Sequence, residues 1–198
     1  MLKVALTGGI ATGKSHVLER FRERGVPCLD ADALARGVTA EGTEATRAIA
    51  GRFGPDILDH SGAVDRAKLA AIVFSDEASR RDLEVIVHPA VYRAITAGLR
   101  AFELLGTSPV AIVDIPLLYE TGHAADFDRV IATVCLPANQ MSRLISRGLR
   151  DAEARQRLAA QMPAIEKAAR ADFVIHTDGS FTETDAQVEQ VWKKLNGQ

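Results

Sequence analysis

LKVALTGGIATGKS, residues 2–15, is the stretch of this sequence that decides the fold. Residues 2–7 form a short apolar run rich in β-formers, and the apolar spacing in residues 15–24 is helical. Between them, residues 8–15 fit G-x-x-x-x-G-K-[ST] at every fixed position. Strand, phosphate-binding loop and helix therefore follow one another in the order that a P-loop requires.

This loop supplies the groups that bind ATP together with Mg²⁺. Its glycines let backbone amides turn towards the β-phosphate, and the start of the helix adds a positive dipole. Lys14 is predicted to act in catalysis by reaching the β- and γ-phosphates, and the Ser15 hydroxyl to ligate Mg²⁺. The alternative, a glycine-rich turn with a chance lysine, leaves the flanking strand and helix unexplained. The predicted ATP contacts are Gly9, Ile10, Ala11, Thr12, Gly13, Lys14, Ser15 and His16.

Three carboxylates follow predicted strands. Asp114 ends the apolar run 110–113, as in a Walker B strand whose carboxylate holds Mg²⁺ directly or through water; the alternative is a residue that only ends the strand. Asp30 and Asp32 end the second strand at the edge of the sheet where ligands bind. Both side chains face one cleft if the strand stays extended, although Asp30 is better explained as the cap of a helix that begins near Ala33.

Arginines are concentrated before the last predicted strand. Arg143 and Arg147 are spaced i, i+4, so they share one face of a helix and form a candidate clamp for phosphate. A solvated face balanced by neighbouring acidic residues is the alternative. His88 is a candidate substrate contact, although the start of a helix at Pro89 favours a histidine that only caps or packs there.

The whole pattern predicts an α/β fold in which helices flank a five-stranded parallel sheet. The opening β-α-β unit provides two strands, and three buried, β-branched runs provide the others. These runs are residues 110–113, 130–136 and 173–176. Residues 34–106 are helical in pattern, with a break at 55–62 and a further helix from Pro89. A chain of 198 residues fits one domain with appendages.

The composition is that of an ordinary folded protein. Hydrophobic residues make up 47% of the chain and charged residues 25%, and a net charge of -2 gives no field that would attract nucleic acid or anionic lipid. We therefore expect neither a nucleic acid nor a membrane partner.

Cys28 and Cys135 lack metal or disulfide spacing, which favours buried thiols. No apolar run approaches membrane-spanning length, and the early P-loop leaves no room for a signal peptide, so we expect a soluble cytoplasmic protein of open oligomeric state.

The sequence resembles the dephospho-CoA kinase family over nearly its whole length. The motifs that carry the resemblance are ALTGGI at 5–10, GKS at 13–15, DAD at 30–32, His88-Pro89, PLL at 116–118 with Glu120, Ala160-Gln161 and ADFVI at 171–175. Several weak motifs in the family's order outweigh one strong motif. The resemblance implies transfer of the γ-phosphate of ATP to the 3'-hydroxyl of dephospho-CoA, the last step of coenzyme A synthesis.

The resemblance also implies three parts. A P-loop core covers about residues 1–34, 107–138 and 164–198, a helical acceptor-binding insertion covers about 35–106, and a lid covers about 139–163. These ranges agree with the division seen in the sequence pattern.

Catalytic roles follow from the same resemblance. Asp32 corresponds to the acceptor-side catalytic carboxylate, and Arg143 and Arg147 correspond to lid residues that face phosphate. The chain departs from the family in two places. Ala11 stands where many members have Gly, and the segment at 147–150 is about one residue short, which leaves the lid arginine open.

Two other functions fit parts of the sequence. A P-loop kinase for a nucleoside monophosphate or shikimate is compatible with the loop, because a fold does not fix the acceptor. The helical insertion and the Asp-Ala-Asp motif favour dephospho-CoA instead. A GTPase-like switch would carry an N-K-x-D guanine motif, which this sequence lacks.

Overall fold

A five-stranded parallel sheet with the order β2-β3-β1-β4-β5 forms the centre of the computed structural model, which describes residues 1–197. Its strands are β1 (Leu2–Gly8), β2 (Cys28–Asp30), β3 (Val110–Asp114), β4 (Arg129–Val134) and β5 (Phe173–His176). Leu6 of β1 pairs with Asp114 of β3, and Gly8 pairs with Thr133 of β4. The predicted five-stranded sheet is confirmed, and the chain leaves β1 beside Asp114 and Thr133.

Helices make up most of the chain between and after the strands. Those within residues 1–197 are α1 (Lys14–Glu23), α2 (Ala31–Val38), α3 (Glu44–Phe53), α4 (Arg66–Ser75), α5 (Glu77–Leu105), α6 (Pro137–Ser146), α7 (Asp151–Ala159), α8 (Ala164–Ala169) and α9 (Phe181–Leu195). Short 3-10 turns occupy Pro55–Ile57 and Ala124–Asp126. In this part of the chain, none of the helices combines the length and apolar character needed to cross a membrane.

Alternation along the strands gives the sheet two apolar faces. Ile131 of β4 packs in the cluster formed with α1 and α9, whereas its neighbour Ala132 packs against α8. The larger cluster contains Val4, Leu6, Val17, Leu18, Phe21, Val26, Val110, Ile112, Ile131, Ile175, Val188, Val191 and Leu195. Burial on both faces explains why the central strands are continuous apolar runs.

The contacts of the chain divide it into two compact units. The first contains Met1–Leu29 and resumes at Ala101, so it holds the sheet and the loop after β1. The second, Asp30–Arg100, is helical and has its own small core around Ile49 and Leu69. The roles assigned to the core, the insertion and the lid stay predictions.

The end of β2 differs from the expectation. The strand ends at Asp30 and α2 begins at Ala31, so Asp30 and Asp32 do not share the face of an extended strand. The Asp30 carboxylate accepts a hydrogen bond from the Ala33 amide at 3.0 Å, which satisfies a donor in the first turn of α2. The capping role of Asp30 is therefore confirmed, and Asp32 lies exposed in that first turn.

The expected start of a helix at Pro89 is wrong, because α5 continues through this residue. Pro89 cannot donate to the Val85 carbonyl four residues earlier, and its ring crowds that carbonyl. Pro89 is exposed, and Val85 is 73% exposed, so this side of the helix faces water. Water can therefore replace the missing hydrogen bond.

Both cysteines are free thiols. Cys135 is buried, as expected, whereas Cys28 is only half-buried in the strand next to β3. Burial raises the pKa of Cys28 to about 11, and the Asp114 and Glu19 charges add to this against the opposing effect of Arg22. Burial also raises the pKa of Cys135. Both side chains are therefore neutral near pH 7.

Pro89→Ala should raise the free energy of unfolding by about 1 to 3 kcal/mol, because alanine restores the hydrogen bond and removes the crowded ring. Chemical denaturation followed by circular dichroism measures the change. Pro55→Ala is the control, since Pro55 occupies the first position of a 3-10 turn, where its missing amide hydrogen has no acceptor to serve. An equal gain in both variants, or none at Pro89, would contradict this account.

Candidate active site

The loop between β1 and α1 is held through its carbonyl groups. A peptide group cannot rotate freely once its carbonyl is hydrogen-bonded, so these contacts fix the loop. The donors are Thr12 Oγ1 to Gly9 O at 2.7 Å, Gln140 Nε2 to Ile10 O at 2.7 Å, Arg143 Nη1 to Ala11 O at 3.1 Å and Thr177 Oγ1 to Thr12 O at 2.8 Å. Side chains from α6 and from the end of β5 therefore shape the loop.

The amides of the loop are engaged to a smaller extent. The Ile10 amide donates to Gln161 Oε1 at 2.9 Å, but within residues 1–197 no protein acceptor receives the amides of Gly13, Lys14 and Ser15. These amides open α1, whose first turn carries no acidic residue. Free amides at a helix N-terminus carry positive partial charge and bind phosphate. The loop therefore fits the phosphates of ATP.

Two glycines are required by the space and the backbone of this loop. A Cβ atom at Gly8 would clash with the Thr133 hydroxyl of the neighbouring strand. Gly13 has a φ of 80°, in the left-handed region that favours glycine, and it caps the N-terminus of α1. These positions allow the tight reversal from strand to helix.

Ala11 is left-handed as well, with a φ of 61°. This conformation costs roughly 1–2 kcal/mol for an L-residue. The Ala11 methyl group is buried with Leu144 and Ala154, which recovers about 0.8 kcal/mol, and glycine would lose a further 0.5–1 kcal/mol, roughly, in chain entropy. The two sides nearly cancel, so alanine is tolerated where the resemblance leads us to expect glycine.

Lys14 and Asp114 form an ion pair at the mouth of the loop. Their side chains are 14% and 9% exposed, so the charges interact in a partly water-excluded setting. Asp114 reaches Lys14 because β3 ends beside β1. Asp114 is therefore more than a residue that ends a strand, and two of the predicted site residues lie together.

The donors beside the loop suit a magnesium ion that phosphate oxygens complete. Among residues 1–197 no group of three or more His, Cys, Asp or Glu side chains could hold a metal. The protein offers the Asp114 carboxylate and the hydroxyl of Ser15, which is exposed in the first turn of α1. Mg²⁺ in phosphoryl-transfer sites takes one or two carboxylates and the phosphates of the substrate, so these donors fit it. The ligand roles of Ser15 and Asp114 stay predictions.

The two candidate clamp arginines lie in different settings. Besides Ala11 O, the Arg143 guanidinium donates to Thr177 Oγ1 at 3.2 Å and to Thr177 O. Arg147 caps the end of α6 and is exposed. Arg143 thus holds the loop by its carbonyl side, and Arg147 is the one with its side chain in solvent. A direct contact of either arginine with phosphate stays a prediction.

His16, predicted to contact ATP, points its ring towards α9. Its Nε2 lies 2.7 Å from Asp185 Oδ1, and its ring centroid lies 4.6 Å from that of Phe181. Asp32 and His88 belong to the second compact unit, where His88 is half-buried within α5. Their contacts with an acceptor stay predictions.

Sequence reasoning missed three residues that shape this site, Gln140, Thr177 and Lys167. The first two hold the loop carbonyls, and Lys167 is fully buried in α8. A signal existed only for Lys167, because it shares an otherwise apolar helical stripe with Ala164 and Ala168. The glutamine and the threonine carry no comparable pattern.

A parallel sheet with this loop after β1, and with a carboxylate from β3 beside the loop lysine, defines a P-loop nucleotide-binding protein. Similar proteins identify the family within this class. A family model described as dephospho-CoA kinase (CoaE) matches residues 2–183. The dephospho-CoA kinase of Geobacillus kaustophilus is 45% identical over 194 residues, which cover 98% of this chain and 96% of that protein. The chain belongs to the dephospho-CoA kinase family.

Two solved structures are similar to this chain over nearly its whole length. TT1252 from Thermus thermophilus superposes with a TM-score of 0.83 at 32% identity, over 98% of this chain and 97% of that one. The dephospho-CoA kinase from Campylobacter jejuni gives a TM-score of 0.75 at 25% identity, with coverage of 98% and 97%. The similarity therefore extends over the helical unit as well as the sheet.

Arg143→Ala should lower the free energy of unfolding by about 2 kcal/mol, because it leaves the carbonyls of Ala11 and Thr177 without a charged donor. It should also weaken binding of ATP. Arg147→Ala is the matched control and should stay within about 0.5 kcal/mol of the parent protein, as expected for an exposed side chain. Thermal unfolding and nucleotide titration measure both effects, and equal stability losses in the two variants would refute the bracing role of Arg143.

Proposed function

We propose that this chain transfers the γ-phosphate of ATP to the 3'-hydroxyl of dephospho-CoA, giving coenzyme A and ADP, the final step of coenzyme A synthesis. The observation that carries the phosphotransferase chemistry is the P-loop, whose carbonyls are held by the protein and whose amides at the start of α1 are available. Membership of the dephospho-CoA kinase family supplies the acceptor. The two free thiols favour a reducing compartment, and we place the reaction in the cytoplasm.

The loop provides binding and charge stabilisation. The transferred phosphoryl group passes through a loose transition state, so positioning and electrostatics supply most of the rate enhancement. The amides of Gly13, Lys14 and Ser15 bind the phosphates, and the ammonium group of Lys14 neutralises charge on the β- and γ-oxygens. The ion pair with Asp114 keeps that ammonium group at the mouth of the loop before the nucleotide binds.

Ser15 and Asp114 are the residues that would hold Mg²⁺ with the nucleotide. The ion, when bound, supplies positive charge to the phosphate oxygens. Both residues lie next to Lys14, one in sequence and one by its ion pair, so the protein groups that serve the phosphates are close together.

The acceptor is assigned to the helical insertion, residues 35–106, with Asp32 as the catalytic carboxylate on the acceptor side and His88 as a further contact. Asp32 accepts a hydrogen bond from the 3'-hydroxyl and thereby orients the hydroxyl oxygen towards the γ-phosphorus. A loose transition state demands little early proton removal from the hydroxyl. Orientation therefore matters more than basicity. The lid is assigned to residues 139–163 and is expected to cover the phosphates.

The acceptor can be tested directly. Coupled release of ADP should be faster with dephospho-CoA than with AMP, dCMP or shikimate, with at least a tenfold advantage in kcat/KM, or about 1.4 kcal/mol. Lys14→Ala is the control, because it should remove the transfer while circular dichroism stays unchanged. A tenfold preference, or about 1.4 kcal/mol, for AMP or shikimate would refute this acceptor.

Asp32 and Asp30 form a matched pair for the catalytic carboxylate. Asp32→Asn keeps the size of the side chain but replaces an acceptor oxygen by a donor, so kcat should fall by roughly 10² to 10⁴ while affinity for ATP stays nearly constant. Asp30→Asn should be much milder, because Asp30 caps α2 and asparagine is also a good cap. Steady-state kinetics with a separate ATP titration decide the roles. The assignment is wrong if Asp30→Asn is the crippled enzyme and Asp32→Asn stays within about threefold of the parent.

A further inference from the structure

Lys167 of α8 is a lysine whose side chain is 0% exposed. Its Nζ donates to the Pro116 carbonyl at 2.6 Å and lies 2.7 Å from Glu120 Oε1, on a side chain that is 23% exposed. A buried ammonium group costs several kcal/mol unless it is paired and hydrogen-bonded, and phosphoryl transfer as described above does not use it. The burial of this lysine therefore calls for a separate account.

The pair completes a ring of hydrogen bonds that returns to the P-loop. Glu120 Oε1 also accepts a hydrogen bond from the Met162 amide. Gln161, the residue before Met162, accepts a hydrogen bond from the amide of Ile10 in the loop. The Pro116 carbonyl, which Lys167 contacts, also accepts a hydrogen bond from the hydroxyl of Thr7, next to Gly8 at the start of the loop. The links are Ile10 N to Gln161 Oε1 at 2.9 Å, Met162 N to Glu120 Oε1 at 3.0 Å, Lys167 Nζ to Glu120 and Pro116, and Thr7 Oγ1 to Pro116 O at 3.2 Å.

This ring lies close in sequence to Lys14 and Asp114. Thr7 and Ile10 fix the loop just before the catalytic lysine, and Pro116 lies two residues after Asp114. Burial lowers the pKa of Lys167, the Glu120 carboxylate opposes this, and the charge of Lys14 adds to the lowering. The two lysines therefore act on one another electrostatically as well as through the ring.

We propose that Lys167 and Glu120 are positioning residues for phosphoryl transfer, because they close a hydrogen-bonded ring that fixes the P-loop against the segment after Asp114. This inference rests on the proposed function for its kinetic consequence. The ring adds to the pairing of β1 with β3 by tying the loop to Pro116, two residues after Asp114, whereas ATP binding rests on several separate loop amides. Loss of the ring therefore lowers kcat more than it raises KM.

Lys167→Met tests this directly, since methionine fills a similar volume without the charge. We expect kcat with dephospho-CoA to fall by about tenfold to a hundredfold, and the KM for ATP to rise by less than about threefold, as for a displacement remote from the chemistry. Lys193→Met is the matched control, because Lys193 forms an exposed pair with Glu189 and should leave kcat unchanged. A Lys167→Met enzyme with the parent kcat overturns the proposal.

The double variant Lys167→Met with Glu120→Gln separates positioning from an unpaired charge. Glu120 is partly exposed and the double variant leaves no unpaired charge beside the buried position, so this protein should keep its melting temperature while its kcat stays low. Recovery of the parent kcat in the double variant would mean that the isolated Glu120 charge was the cause, and it would overturn the proposal. If neither Lys167 variant folds, Gln161→Leu opens the ring at the loop, and an unchanged kcat there overturns it equally.

A measurement without turnover distinguishes failure of this inference from failure of the proposed function. Hydrogen exchange of the peptide that contains the Ile10 amide should be faster in Lys167→Met than in the parent, by about tenfold, and unchanged in Lys193→Met. Faster exchange in a protein that does not phosphorylate dephospho-CoA would uphold the ring and refute the acceptor. Equal exchange in an active enzyme would refute the ring alone.

Discussion

The site depends on the hydrogen bonds that hold the carbonyl groups of residues 9–12. The amide and the carbonyl of one peptide group point in opposite directions, so a Thr12 carbonyl fixed on the protein side leaves the Gly13 amide of the same peptide group facing the other way. Gln140, Arg143 and Thr177 provide this fixation from elements far away in sequence. The loop can therefore present its amides to phosphate without reorganising at the moment of transfer, which is the condition for strong electrostatic stabilisation.

The same bonds place a constraint on the segment assigned to the lid. Its first helix, α6, carries Gln140 and Arg143, and both side chains are bonded to the loop. A closing motion that moved α6 would break the fixation of the carbonyls.

The features predicted correctly from sequence were those that depend on short, contiguous stretches of chain. The P-loop and the buried strands are contiguous patterns, so the sheet and the position of Asp114 followed from them. The errors and omissions involve distant partners or overridden local rules. Pro89 signals the start of a helix locally, yet α5 passes through it where water serves the exposed side. Arg143 belongs to an arginine-rich stretch, and such a stretch is also typical of a solvated face. Its hydrogen bond to the Ala11 carbonyl, 132 residues away in sequence, is what distinguishes its role.

The burial of Lys167 has to be weighed against what stability alone would favour. A buried ion pair is often no more stable than apolar side chains of the same volume, and Ala164 and Ala168 beside it show that this face of α8 packs against an apolar part of the sheet. A methionine or leucine would serve that packing as well. A lysine does what they cannot, since one ammonium group bonds both to the segment after Asp114 and to the carboxylate that holds the Met162 amide. Burial of the charge is unfavourable for stability, but it places a geometric constraint on the loop. That constraint acts where phosphoryl transfer is most sensitive to position.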